Sequence, residues 1–180
     1  MNPALYRIRR ASAADAAAIA AVHTQAWNEA YRGVLPDAII ERYPLAQRLA
    51  MRQRVLASPD RTTCFVATPA HGGGAVGFAD CGAAREPVAD CRGEVYAVYI
   101  LAAHQRQGLG RALMAACTRE LAERRFTSAM VWVVEGNEPA RRFYERLGGK
   151  LRGEGTDAHG ERTVRKYAYC WPDLATLLGS

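Results

Sequence analysis

A chain of 180 residues, 49% apolar and 23% charged, suits one globular domain and excludes extended disorder; no apolar run approaches the ~20 residues of a membrane span. The formal net charge of +6 is carried almost wholly by arginine, which suits a phosphorylated ligand or solvated helix faces. No basic run interleaves with aromatics, which argues against nucleic acid, and five scattered cysteines without a CxxC pair argue against a metal site and for free thiols in a reducing, cytoplasmic compartment.

The chain opens with a strand over Leu5–Ala11 and a helix from about Ala13 to Tyr31. Ser12 and Asp15 resemble a capping box, and Asp15 interrupts the alanine-rich run Ala13–Val22 that would otherwise imitate a signal peptide. Ile19, Val22, His23, Ala26 and Ala30 form the core stripe of that helix, which makes His23 a core histidine rather than a base. Trp27 and Tyr31 lie about 80° and 120° around the wheel from Ile19, on its flank. Gly33 and Pro36 break the helix, and helical pieces follow over Asp37–Glu41 and Leu45–Ala57. Thr63–Thr68 and Ala75–Ala83 form a hairpin about the turn His71–Gly74.

Gly93–Leu101 is a strand that is apolar on both faces after Glu94, hence central in the sheet. A helix over Gly108–Arg125 carries Leu109, Leu113, Cys117 and Leu121 at four-residue spacing. With the buried strand Ala129–Val134 it makes a right-handed parallel crossover. The next helix begins at Asn137, a good cap, with Pro139 in its first turn; Ala140, Phe143 and Leu147 share one face, and Gly148–Gly149 ends it. Lys150–Thr156 and Arg162–Trp171 close the chain as a hairpin about Asp157–Gly160. The tail Pro172–Ser180 packs either on a partner or over its own subunit. The element order is βααββαβαββ, one α/β domain over residues 1–180 with a mixed central β-sheet flanked by helices.

The stretch HQRQGLGRAL, His104 to Leu113, joins the central strand to its helix. Glycine costs a helix about 1 kcal/mol relative to alanine, so Gly108 and Gly110 need a reason. A helix N-terminus offers unpaired N–H groups and partial positive charge, glycine lets backbone approach an anion, and Arg106 and Arg111 add charge. The other reading is a tight turn whose glycines allow close packing. Neither G-x-G-x-x-G nor G-x-x-x-x-G-K-[ST] fits.

QRQGLG, Gln105 to Gly110, resembles the acetyl-CoA signature Q/R-x-x-G-x-G/A of the GCN5-related N-acetyltransferases (GNAT). EVYAVYIL before it resembles the family's fourth strand, NEPARRFYERLGG from Asn137 to Gly149 its later N-x-x-A-x-x-F-Y-x-x-x-G segment, and WNEAYRGVLP from Trp27 to Pro36 the first-to-second-helix segment of many bacterial members. The resemblance implies the GNAT fold and acetyl transfer from acetyl-CoA to a primary amine, with a small-molecule acceptor expected. The alternatives are a protein N-terminal or lysine acetyltransferase and an acyl-CoA sensor of the same fold without transfer.

It further implies pyrophosphate on backbone N–H groups of Gln105, Arg106, Gln107, Gly108, Leu109, Gly110 and Arg111. Pantetheine would pair with backbone at Val98, Tyr99 and Ile100 and touch Asn137. Tyr144 would act as the acid that protonates the thiolate; by its spacing it lies about 40° from Ala140, at the edge of the buried stripe. Glu94 is the candidate base, with Glu135 in reserve, and Trp27 and Tyr31 are the candidate acceptor-binding residues. No metal, nucleic acid or membrane partner is expected; dimers are frequent in the family, which leaves a homodimer and a monomer both open.

Overall fold

The computed structural model describes residues 5–159 and 162–178. Strand β1 (Tyr6–Arg10) leads into three helices, α1 (Ala16–Tyr31), α2 (Asp37–Ile40) and α3 (Leu45–Leu56). Then come β2 (Thr62–Pro69), β3 (Gly77–Ala83), β4 (Gly93–Ile100), α4 (Leu109–Glu123), β5 (Ala129–Val134) and α5 (Glu138–Arg146). The hairpin β6 (Lys150–His159) and β7 (Arg162–Trp171) precedes the short α6 (Ala175–Leu178). The expected tip of that hairpin includes Gly160, which lies outside the described residues, as do Gly179 and Ser180 of the tail.

The expected order βααββαβαββ is one strand and two helices short, one helix before β2 and the other the terminal α6. Pro36 and Pro44 each stand at an N-cap and restart the chain, so three helices separate β1 from β2. Strands β2, β3 and β4 run as an antiparallel meander before α4, so three strands stand there rather than two.

The seven strands form one mixed sheet in the order β1-β2-β3-β4-β5-β7-β6, in which β4 and β5 are the parallel pair. Helices α1 and α3 lie against one face and α4 against the other. The four-residue stripe of α4 explains its seat: Leu109, Leu113, Cys117 and Leu121 are all buried, packed with Phe65, Ala67, Val95 and Val131. On the opposite face Ile19 and Val22 of α1 meet Cys64, Val66 and Phe78. A buried leucine contributes roughly 1.5–3 kcal/mol relative to an exposed one, so these two stripes fix the sheet between its helix layers.

Local signals agree with this packing. The Ser12 N–H donates to Asp15 Oδ2 at 2.8 Å, and Arg9 grips the same carboxylate at 2.7 and 2.8 Å, which holds the Asp15 carboxyl well below the usual range. Leu174 and Leu177 are buried in the α4-side core, so the tail lies over its own subunit. All five cysteines are buried and free.

Two irregularities shape the centre of the sheet. Asp80 pairs with Ala97 but Cys81 with Val95, so Tyr96 is an extra residue in β4. The bulge resets the alternation. Val95, Val98 and Ile100 pack on the α4 side, whereas Ala97 and Tyr99 pack on the α1 side. The second is a split: β4 pairs with β5 only at Gly93↔Ala129 and Glu94↔Met130, and beyond that point the strands part.

Candidate active site

The turn between β4 and α4 alternates in handedness. Arg106 has φ 58° and Gly108 φ 84°, with Gln107 between them in ordinary backbone space. Such alternation turns successive N–H groups toward one side and builds an anion-binding concavity, here at the N-terminus of a four-turn helix. Gln105 Nε2 donates to the Ile100 carbonyl at 3.0 Å, and Gln107 Nε2 to the Ala103 carbonyl at 3.0 Å, which hold the turn. Residues Gln105 to Gly108 are exposed, and neither Arg106 nor Arg111 has an ion pair among the described residues. Gly110 answers to packing: a Cβ there would stand 3.1 Å from the Phe143 ring and 3.5 Å from Ile100. Gly110 thus serves close packing, and Gly108 the left-handed step of the turn.

The turn opens onto the split between β4 and β5. Past Glu94 the β5-facing backbone edge of β4, including Val98, Tyr99 and Ile100, has no ladder partner on that side. Asn137 caps α5, accepting from the Ala140 N–H at 3.2 Å, and lies beside the Tyr31 phenol. Tyr144 on α5 is buried, with its ring 6.0 Å from Trp171 and 5.1 Å from Phe143. No group hydrogen-bonds its hydroxyl among the described residues. Burial, with Tyr31 and Cys117 nearby, pushes the phenol well above its ordinary value, so it stays protonated at neutral pH.

On the other face lies a cavity of about 790 Å³ lined by α1, α3, β4 and the last hairpin. Its aromatic wall includes His23, Trp27, Tyr31, Tyr96, Tyr99 and Trp132. The Trp27 and Tyr31 rings lie 4.4 Å apart at a tilt of 49°, and both also pack against Leu35, Ile39 and Ile40, so they are core and cavity lining together. His23 lies 4.7 Å from Tyr99 and takes a contact from Arg52 Nη2 at 3.3 Å. A guanidinium only donates, so Nδ1 accepts and the ring proton sits on Nε2. Burial, then Arg48 and Arg52, lower His23 to about 2, so it is neutral.

Glu94 lines the same cavity because the bulge puts it on one face with Tyr99. It is buried, and Arg85 holds both oxygens: Nη2 to Oε1 at 2.5 Å and the backbone N–H to Oε2 at 2.9 Å. Glu135 is exposed and engaged by Tyr167 at 2.8 Å, apart from the cavity lining. The structure thus brings Glu94, Trp27, Tyr31 and Tyr99 together at the cavity and sets Tyr144 and Asn137 at the split beside Tyr31.

Sequence reasoning missed Arg48 and Arg52. Both read as solvated positions of an arginine-rich helix, yet both are buried, while Leu45 of the same helix is 50% exposed. Arg52 is matched by Asp80 at 2.5 Å. The signal lay in β3, where Asp80 interrupts an otherwise apolar strand and asks for a cation. Among the described residues no group of three or more His, Cys, Asp or Glu side chains is placed to hold a metal ion, and no helix is long and apolar enough to cross a membrane.

Residues 15–149 match the model of the acetyltransferase (GNAT) family. The chain is 31% identical over 171 residues to YuaI, an uncharacterised N-acetyltransferase of Bacillus subtilis (strain 168), covering 94% of this chain and 95% of that one. Among solved structures, the paiA N-acetyltransferase of Thermoplasma acidophilum, in complex with coenzyme A, superposes with a TM-score of 0.69 at 16% identity, over 89% of this chain and 97% of that one. The yncA structure of Salmonella typhimurium, with its cofactor acetyl-CoA, gives 0.67 at 21% identity over 94% of each chain. Turn, split sheet and family match agree: this chain belongs to the GNAT family of acetyltransferases.

Proposed function

We propose that the protein transfers acetyl from acetyl-CoA to a primary amine of a small molecule. The observation that carries this reading is the continuity of three features along one strand. The left-handed turn before α4, the unpaired edge of β4 and the aromatic-lined cavity meet along β4. The residues fit the co-substrate: backbone N–H groups from Gln105 to Arg111 take the pyrophosphate, the edge at Val98–Ile100 takes the pantetheine amides, and Asn137 adds a contact. Coenzyme A in the paiA complex and acetyl-CoA in the yncA structure support this assignment. A cavity of about 790 Å³ lies in the range of small-molecule pockets.

Acetyl-CoA supplies an activated acyl group: the amine nitrogen bonds to the carbonyl carbon, the C–S bond breaks, the ammonium proton is lost and the CoA thiolate gains one. Trp27 and Tyr31 hold the acceptor. Glu94, with Arg85 fixing its carboxylate, draws the amine proton through water. Tyr144, protonated and without a hydrogen-bond partner among the described residues, gives its proton to the thiolate.

The test is acetyl-CoA titration by calorimetry with thiol release followed across a panel of amines. The expected result is saturable binding and amine-dependent release with an acetylated product. Tyr144→Phe should keep acetyl-CoA affinity and lose about 10- to 10³-fold in kcat, with kcat/KM falling alongside, as for a general acid acting mainly in the transition state. Absence of binding, or release that no amine accelerates, overturns acetyl transfer. A Tyr144→Phe variant at the wild-type rate with chemistry limiting makes the tyrosine structural.

A further inference from the structure

Helix α3 turns two of its three arginines inward, and one of these has no counter-ion. Arg48 is 4% exposed and lines the cavity. Its Nε donates to the Tyr43 carbonyl at 3.0 Å, its guanidinium lies 5.1 Å from the Trp27 ring, and its buried Nη2 has no hydrogen-bond partner. No carboxylate pairs with it among the described residues. The other cavity cations are treated differently: Glu94 matches Arg85 at 2.5 Å, and Asp157 matches Lys166 at 2.6 Å. Arg54 also lines the cavity but is exposed, where water serves it.

Beside Arg48 stand two further donors, one of them buried without an acceptor. Trp27 Nε1 is buried and unpartnered. His23 offers Nε2–H, since its Nδ1 faces Arg52. A buried cation without a partner is costly, and buried donors normally find acceptors. Three donors on one cavity wall, with no anion among them, call for a ligand that brings the anion. Arginine's planar fork suits a carboxylate in two-point geometry.

We infer that the acceptor amine also carries a carboxylate, and that Arg48 binds it on the α1–α3 wall with Trp27 and His23 as supporting donors. The acceptor is thus amino-acid-like, and a polycationic amine is disfavoured. This rests on the acetyl-transfer reading above and adds the class of acceptor to it.

The experiment compares matched acceptors at saturating acetyl-CoA: phenylalanine, phenylalaninamide and phenethylamine; 4-aminobutyrate, 4-aminobutanamide and butylamine; and spermidine. Rates are referred to the free-amine fraction, because the carboxylate shifts the amine pKa. In at least one series the carboxylate member should be favoured by roughly 10- to 100-fold in kcat/KM, the scale of a charged hydrogen bond. Arg48→Gln should erase that preference through KM while acetyl-CoA affinity stays unchanged. Equal or better turnover of the amides, the plain amines or spermidine overturns the inference and leaves acetyl transfer standing. So does an Arg48→Gln effect equal on all members.

A binding arm needs no turnover. Calorimetry of N-acetylphenylalanine against its amide on the CoA complex should show carboxylate selectivity that Arg48→Gln removes. Such selectivity without transfer supports the anion site and sinks the acetyl-transfer reading. No selectivity in wild type overturns the anion site. If Arg48→Gln fails to fold, the wild-type comparisons decide, with Arg48→Lys retaining the charge and losing the two-point geometry.

Discussion

His23 shows how one buried side chain links the cavity to stability. Burial and the neighbouring Arg48 and Arg52 lower it to about 2, against about 6.5 in an unfolded chain. The folded pKa lies below the unfolded one, so as pH falls below about 6.5 the unfolded chain binds a proton that the native state refuses. Stability from this site is therefore complete above that pH and is lost on acidification, by up to about 1.4 kcal/mol per pH unit. Asp15, depressed chiefly by Arg9, adds a separate loss that starts only near the ordinary carboxylate range. His23→Gln removes the first window and leaves the second. Urea unfolding at pH 7 and pH 5 should show wild type losing stability between them and the variant losing distinctly less. Equal slopes would mean that His23 protonates without resistance in the native state. Its place in the sequence stripe predicted a core histidine; its neutrality comes first from burial and then from two arginines whose own burial the stripe could not show.

At the scale of elements, periodicity exposed most of the fold and hid its irregularities. The stripe of α4, the doubly apolar β4 and the Asn137 cap were legible because each repeats or sits at a fixed offset. The bulge at Tyr96 was not, because one extra residue leaves composition unchanged and only shifts which face the next side chains take. That shift is what sets Glu94 and Tyr99 at one cavity. The inward arginines of α3 were hidden for a related reason: their partner Asp80 and their cavity are far away in sequence. The turn before α4 allows a direct test. Gly108 sits at φ 84°, where an alanine costs about 1–2 kcal/mol. Arg106 already occupies left-handed space without glycine's freedom, so this turn has little slack. Gly108→Ala should lower unfolding free energy by that amount and weaken acetyl-CoA binding, read by denaturant midpoint and calorimetry. A fully stable variant with unchanged affinity would show that the turn's handedness is incidental.

For the whole molecule, the decisive fact is a sheet that is continuous at one end of β4 and open at the other. The first two residues of β4 bridge to β5, and through β7 to β6, so the halves are joined at Gly93 and Glu94. Farther along, β4 keeps β3 on one side and loses β5 on the other, while α4 and α1 still cover its faces. Both faces of the open edge are thus packed while the edge itself is not. A backbone edge of this kind exchanges its amide hydrogens unless a strand-like partner covers it. Hydrogen exchange of the free protein should therefore protect Gly93 and Glu94 more than the β5-facing amides between Val95 and Ile100. Saturating coenzyme A should slow exchange in that second stretch and in the turn from Gln105 to Arg111, with little change in β1, β2 and β6. Exchange that slows evenly over the sheet would indicate general stabilisation by mass action. No slowing in β4 at saturation would mean that the pantetheine arm lies elsewhere, and the strand-edge assignment of Val98, Tyr99 and Ile100 would fall.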